Sequence, residues 1–312
     1  MRFHLKIPNF FIIGAPRSGT TSLYYLLKLH PDVFMCEPKE PYYFCTDFHE
    51  ESDSYHKKRI RFPIRTEKQY LKLFQNAAHV KVIGEATPDY LYSKKAASTI
   101  HRFNPAAKIL IMIRHPVDLL YSLHSHQIYY GGEDILDFKQ ALDIEYQRRQ
   151  GKHLPRGVFF PSSLYYSERI RFSEQIKRYL DYFSRGQVKI CVFDDFQKDN
   201  LNIYRNILEF LNIDSDYTPH LKKYNQYRMP RFMFINRTLA AIGDSPVISL
   251  LPYNVRNTLS SAIRKFNKKS AKRKPLDVGL RKKLMKKGRP AVRELNKLVK
   301  RDLERLWGYD RI

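Results

Sequence analysis

Four short apolar runs punctuate the first two-thirds of the chain: Phe10–Ile13, Val80–Ile83, Lys108–Ile113 and Val188–Phe193. Runs of this length, rich in β-branched and aromatic residues, fit strands buried on both faces. Most are followed by apolar residues at helical spacing, in Thr20–Leu29, Val117–Ile128, Glu168–Phe183 and Ile203–Leu211. Strands alternating with helices predict an α/β fold with a central parallel sheet covered by helices on both sides. Ligands of such sheets sit beyond the carboxyl ends of the strands, so residues just after each strand are the candidates for chemistry.

The character changes after about Asp214. Tyr217–Pro230 reads as loop, and Asn254–Asp302 is dominated by Lys and Arg, interrupted by Pro275 and Pro290, with a helical pattern in Val292–Leu306. A single domain over residues 1–312 is expected, with a core over about 8–215 and a basic, mostly helical region over about 216–312. The basic stretch reads first as a solvated helix pair and second as a surface that attracts an acidic substrate. Lys and Arg total 56 against 31 Asp and Glu, a net charge of +25. That excess suits an anionic partner and does not bear on fold. Three cysteines without CxxC or zinc spacing exclude a disulfide scaffold and fit reduced thiols. No stretch reaches the roughly 20 apolar residues of a membrane span. A soluble, cytoplasmic protein is therefore expected.

The segment Phe10-Phe-Ile-Ile-Gly-Ala-Pro-Arg-Ser-Gly-Thr-Thr-Ser-Leu23 joins a buried strand to a helix through a Gly-bounded loop. Helix N-termini present N–H groups without intrahelical partners, and the helix dipole favours an anion there. Gly19 permits close backbone approach, Ser18, Thr20 and Thr21 add hydroxyls, and Arg17 adds a fixed charge. Gly14 and Gly19 keep the spacing of the nucleoside-triphosphate loop GxxxxGK[ST], but Thr20 stands where that loop has Lys. The missing Lys counts against ATP or GTP hydrolysis.

Lys108–Ile113 delivers Arg114 at a second strand end, followed by Pro116 at a helix start and Ser122 eight residues after Arg114. Beside the first loop, a second anion site suggests a nucleotide phosphorylated at two separate places. Together these segments resemble the sulfotransferases that use 3′-phosphoadenosine 5′-phosphosulfate (PAPS). That family's 5′-phosphosulfate loop is similar to Ala15–Thr21, and its 3′-phosphate motif to Arg114-x-Pro116 with Ser122. The resemblance runs from about Phe10 to Leu211, and Asp302-Leu-Glu-Arg-Leu-Trp307 is similar to the end of many such domains.

The resemblance implies a P-loop-like three-layer fold and transfer of sulfuryl from PAPS to a hydroxyl or amine, most readily on a carbohydrate, releasing PAP. It assigns Arg17, Ser18, Gly19, Thr20, Thr21 and Ser22 to the 5′ phosphosulfate, and Arg114 and Ser122 to the 3′ phosphate. Arg228 or Arg231 is a further 3′-phosphate candidate, and Phe193 would border the adenine. No metal is expected, because fixed donors neutralise the developing charge. The expected partner is an anionic or carbohydrate acceptor rather than nucleic acid.

Between the motifs, His30-Pro-Asp-Val leads into an acidic loop with Glu37 and Glu40 before Tyr42, Tyr43 and Phe44. The segment is similar to one in heparan-sulfate-type enzymes, where a carboxylate serves as catalytic base. Alignment on the aromatic end selects Glu40; alignment on His-Pro-Asp-Val selects Glu37. Lys39 is a candidate substrate contact. Glu85-Ala-Thr-Pro88 resembles a family segment that reads Glu-Lys-Thr-Pro, with Ala86 in place of Lys; Glu85 reads as a structural partner of Arg or Lys, or as a second acid. Two rivals remain. A small-molecule P-loop kinase would use ATP and Mg²⁺ held by Asp194 or Asp195, and a basic nucleic-acid-binding protein would use the tail. His124-x-His126 lacks partners at metal spacing and reads as a helix face.

Overall fold

The computed structural model describes residues 6–57, 61–77, 79–219, 228–230, 268–270 and 274–312. Five parallel strands form the central sheet: β1 (Phe10–Gly14), β2 (Val33–Met35), β3 (Val82–Ala86), β4 (Lys108–Ile113) and β5 (Val188–Val192), in the order β2-β3-β1-β4-β5. The helices before β4 are α1 (Thr20–Leu27), α2 (Thr46–His56), α3 (Glu67–Leu71) and α4 (Ala96–Phe103). After it come α5 (Pro116–Tyr130), α6 (Phe138–Asp143), α7 (Glu145–Arg149), α8 (Tyr166–Arg169), α9 (Phe172–Leu180), α10 (Phe193–Lys198), α11 (Asn200–Leu211), α12 (Val278–Val299) and α13 (Leu303–Leu306). A short antiparallel pair, Arg228–Pro230 with Lys268–Ser270, lies outside the main sheet.

The period-2 geometry of a strand divides the core into two layers. Phe11 and Ile13 of β1, with Ile109, Ile111 and Ile113 of β4, face a layer that includes Tyr70, Phe44 and Tyr179. Phe10, Ile12, Leu110 and Met112 face the opposite layer, with Leu23 and Leu27 of α1 and Ile207 and Leu208 of α11. Each such side chain contributes roughly 1.5–3 kcal/mol on burial. Both faces of β1 and β4 are therefore closed, and only their carboxyl ends are available to a ligand. The strand order reverses direction at β1, whose neighbours β3 and β4 lie on opposite sides, so a crevice opens between the loops that follow β1 and β4.

Several elements differ from the sequence reading. The expected strand Val80–Ile83 lies instead at Val82–Ala86, because it carries a fully buried carboxylate, Glu85, that no apolar pattern reveals. Val33–Met35, which has no strand pattern of its own, is an edge strand paired with β3. The helical stretch Glu168–Phe183 is broken around Ile170 and Arg171 into α8 and α9. Phe193 does not end a strand; it is the first residue of α10. Pro290 does not interrupt α12, a 22-residue helix that ends at Lys300 in the left-handed conformation.

The basic helix is anchored rather than merely solvated. Met285, Val292 and Leu295 are buried, Arg281 bonds Asp118 at the start of α5, and Lys177 of α9 pairs with Glu294. Among the described residues no helix is long and apolar enough to cross a membrane.

Candidate active site

The loop after β1 closes at Gly19, the N-cap of α1, with φ of 85°. A Cβ added there would come within 2.9 Å of the Phe193 ring, so glycine is required twice, by conformation and by space. Carrying no side chain, Gly19 makes no side-chain cap on α1. Ser18 and Thr20 are buried, Thr21 and Ser22 half-buried, and Arg17 is exposed in a left-handed conformation, φ 64°. Ala15 is tied to β4, its N–H donating to Met112 O at 2.6 Å.

The two sequence motifs meet in space. Arg17 Nε donates to Ser122 Oγ at 3.1 Å, and Arg114 Nη1 donates to the Arg17 carbonyl at 2.8 Å. The Arg114 guanidinium also lies over the Phe193 ring, 4.7 Å from its centroid. One corner thus gathers two guanidiniums, a buried hydroxyl, an aromatic face and a helix N-terminus. Like charges brought this close favour an anion between or beside them. The donor set fits a nucleotide with phosphates at both ends. Arg231 lies outside the described residues; Arg228 opens the short antiparallel pair, whose first strand lies against α5.

The acidic loop separates its two candidates. Glu37 is exposed and paired with Lys28 on the α1 side. Glu40 is tied to the sheet, its N–H donating to the carbonyl of Ala86 at 3.2 Å. Its carboxylate accepts from Lys39 Nζ at 2.5 Å and stands 3.2 Å from the Tyr42 hydroxyl. That hydroxyl in turn donates to Asp89 Oδ2 at 2.8 Å.

His126 is not the ordinary helix-face residue that the sequence suggests. The structure places it among Arg17, Lys39 and Asp89. Burial pushes its imidazole down to about 3; Arg17 reinforces the shift and Asp89 opposes it, so the neutral ring is favoured. Its ring also packs on Tyr130, 4.6 Å between centroids. The signal is present in the sequence: His126 follows Ser122 by one helical turn, on the same face of α5. His124, by contrast, is buried and bonds the Ile135 carbonyl at 2.9 Å.

Glu85 is fully buried under the site and has no Arg or Lys partner among the described residues, contrary to a structural ion-pair role. Burial raises its carboxyl to about 8, while the nearby Tyr90 and Tyr70 hydroxyls hold that rise back. Burial in β3 thus favours its neutral form.

Asp194 and Asp195, the carboxylates a kinase would need for Mg²⁺, are occupied. Arg301 forks onto Asp195, with Nη2 at 2.7 Å from Oδ1, and the Trp307 indole donates to Asp194 Oδ2 at 3.1 Å. Tyr309 stacks on His115 at 5.4 Å, so the C-terminal residues line the back of the Arg114 turn.

A model of a family described as the sulfotransferase family matches residues 8–218. Rat carbohydrate sulfotransferase 15 is 32% identical over 156 residues, covering 38% of this chain and 27% of that protein. Human bifunctional heparan sulfate N-deacetylase/N-sulfotransferase 2 is 27% identical over 238 residues, covering 73% of this chain and 24% of that protein. The chain thus spans about a quarter of the length of these two relatives. A crystal structure of a sulfotransferase from Alicyclobacillus acidocaldarius superposes with a TM-score of 0.71 at 28% identity, covering 97% of this chain and 99% of that one.

Proposed function

Because the chain belongs to the sulfotransferase family, we propose that it transfers the sulfuryl group of PAPS to a hydroxyl or amine of a carbohydrate and releases PAP. The observation that carries the reading is the Arg17–Ser122 bond, together with Arg114 on the Arg17 carbonyl, because it makes one site of two anion-binding motifs. PAPS, when bound, supplies a sulfuryl group already activated on a phosphate.

The chain supplies the rest. The first turn of α1, Ser18, Thr20, Thr21, Ser22 and Arg17 hold the 5′ end, and Arg114 and Ser122 hold the 3′ phosphate. Phe193, held between Gly19 and Arg114, offers an aromatic face to the base. Glu40 takes the proton of the acceptor while the acceptor oxygen or nitrogen bonds to sulfur and the electron pair of the broken bond leaves on PAP. Arg17 is the fixed charge beside that leaving oxygen, a role that preorganised donors fill without reorganisation. We assign charge neutralisation to these side chains and not to a metal.

The related carbohydrate enzymes and the +25 charge support a glycan acceptor, an anionic one above all. Calorimetry with PAP and with ATP tests the donor assignment. PAP binding with no heat from ATP is expected, and ATP binding in the absence of any response to PAP would overturn it. Labelled PAPS with desulfated heparan and chondroitin chains then tests the acceptor class.

A further inference from the structure

Glu40 and Tyr42 both occupy the left-handed region, with φ of 63° and 57°. Non-glycine residues sit there only when their surroundings hold them. For Tyr42 those surroundings are explicit. Its carbonyl accepts from His49 Nε2 at 2.7 Å and Cys45 Sγ at 3.0 Å, and its ring packs on Phe62 and Phe159. Burial, then Asp89 and Glu40, raise its phenol well above the usual range, so it keeps its proton.

A phenol has one proton to give. Here two carboxylates stand within reach, Asp89 Oδ2 at 2.8 Å and Glu40 Oε2 at 3.2 Å. The shorter contact takes it. Asp89 is itself fixed, because it pairs with Arg169, which is 4% exposed and lies over the Tyr92 ring at 4.3 Å. Tyr92 is held in turn by Glu168, at 2.6 Å.

We propose that Asp89 is a positioning residue for Glu40 that acts through the Tyr42 hydroxyl. The proposal rests on the sulfotransferase reading. With its proton committed to Asp89, the Tyr42 oxygen turns a lone pair toward Glu40. An ionised Glu40 gains nothing from that lone pair, but a Glu40 that has just taken the acceptor's proton can donate it there. Asp89 thereby selects which form of Glu40 the phenol supports, and it orients the carboxyl group once the acceptor's proton has arrived. With Asn at position 89, the amide can donate to the Tyr42 oxygen, and the phenol proton turns to Glu40, where it supports the ionised carboxylate and opposes its taking the acceptor's proton.

The test is a double-mutant cycle on the full chain, using labelled PAPS with desulfated heparan and chondroitin chains. Asp89→Asn and Tyr42→Phe should each lower kcat by about 10- to 100-fold, with KM for PAPS and PAP affinity unchanged. The double variant should be no slower than the slower single one, because both act through one contact. Tyr42→Phe leaves the Asp89–Arg169 pair intact, so it reports even where Asp89→Asn folds poorly. An active wild type whose two losses multiply, or whose Tyr42→Phe variant keeps full kcat, overturns the positioning role alone. A wild type that binds PAP but transfers nothing to either glycan class overturns both the acceptor reading and this proposal.

Discussion

Arg17 Nε donates to Ser122 Oγ at 3.1 Å across a sequence separation of 105 residues. The bond joins the loop after β1 to the helix after β4, and Arg114 braces it from beneath through the Arg17 carbonyl. Removing Arg114 deletes both a charge and the brace. Arg114→Ala should therefore weaken PAP binding by about 10- to 100-fold, the 1.5–3 kcal/mol of a charge-assisted bond. Ser122→Ala should cost less. Calorimetry with PAP measures both, and equal affinities for all three proteins would dissolve the joint site.

Glu40→Gln removes the acceptor of the proton while preserving shape. Loss of a positioned base costs about 10²–10⁴-fold in rate, so turnover should fall by that order with PAP affinity retained. Glu37→Gln breaks only an exposed pair with Lys28 and should leave turnover within about twofold. Labelled-sulfate transfer compares them; the opposite ranking would move the base to Glu37.

Glu85 gives the protein a pH dependence of stability with a definite sign. Burial pushes its carboxyl from the ordinary 4.5 up to about 8 in the folded chain. Between those values the native state keeps a proton that the unfolded state releases. Stability therefore falls as pH rises through this window, by up to about 1.4 kcal/mol per unit, and levels off above it. Glu85→Gln abolishes that loss, so its stability relative to wild type should increase from pH 5 to pH 8 in urea melts. Parallel pH profiles would mean that Glu85 is charged in the native state.

Glu133 and Arg148 form an ion pair with both side chains fully buried, and Tyr166 donates to the same carboxylate at 2.9 Å. Glu133→Ala strands a guanidinium in the core and should destabilise by about 3–5 kcal/mol. Substituting both partners with apolar residues should recover much of that loss. Chemical denaturation of the single and double variants checks the ordering.

The parts of this molecule that can be read from sequence are those whose neighbours are close in the chain or fixed by a strand. β4 is readable to the residue because both its faces are closed, and Arg17 and Arg114 because strand ends present them. Glu37 and Glu40 cannot be ranked from spacing alone. What separates them is Lys28 on one side and the Ala86 carbonyl on the other, contacts that the fold makes. Asp89 and Arg169 are 80 residues apart and carry no motif. The C-terminal helix looks solvated in sequence because its three buried residues are outnumbered by lysines and arginines. Arg231 lies outside the described residues.

The fork of Arg301 onto Asp195 sets the order in which a nascent chain can finish the corner around Phe193. Arg301 is synthesised 106 residues after Asp195, which at ribosomal speeds of ~5–20 residues per second is a delay of roughly 5–20 s. Until then Asp195 lacks its Arg301 partner and Asp194 its Trp307 donor, both in the first turn of the helix that starts at Phe193. Charge balance at the start of that helix therefore waits on a contact of long sequence separation.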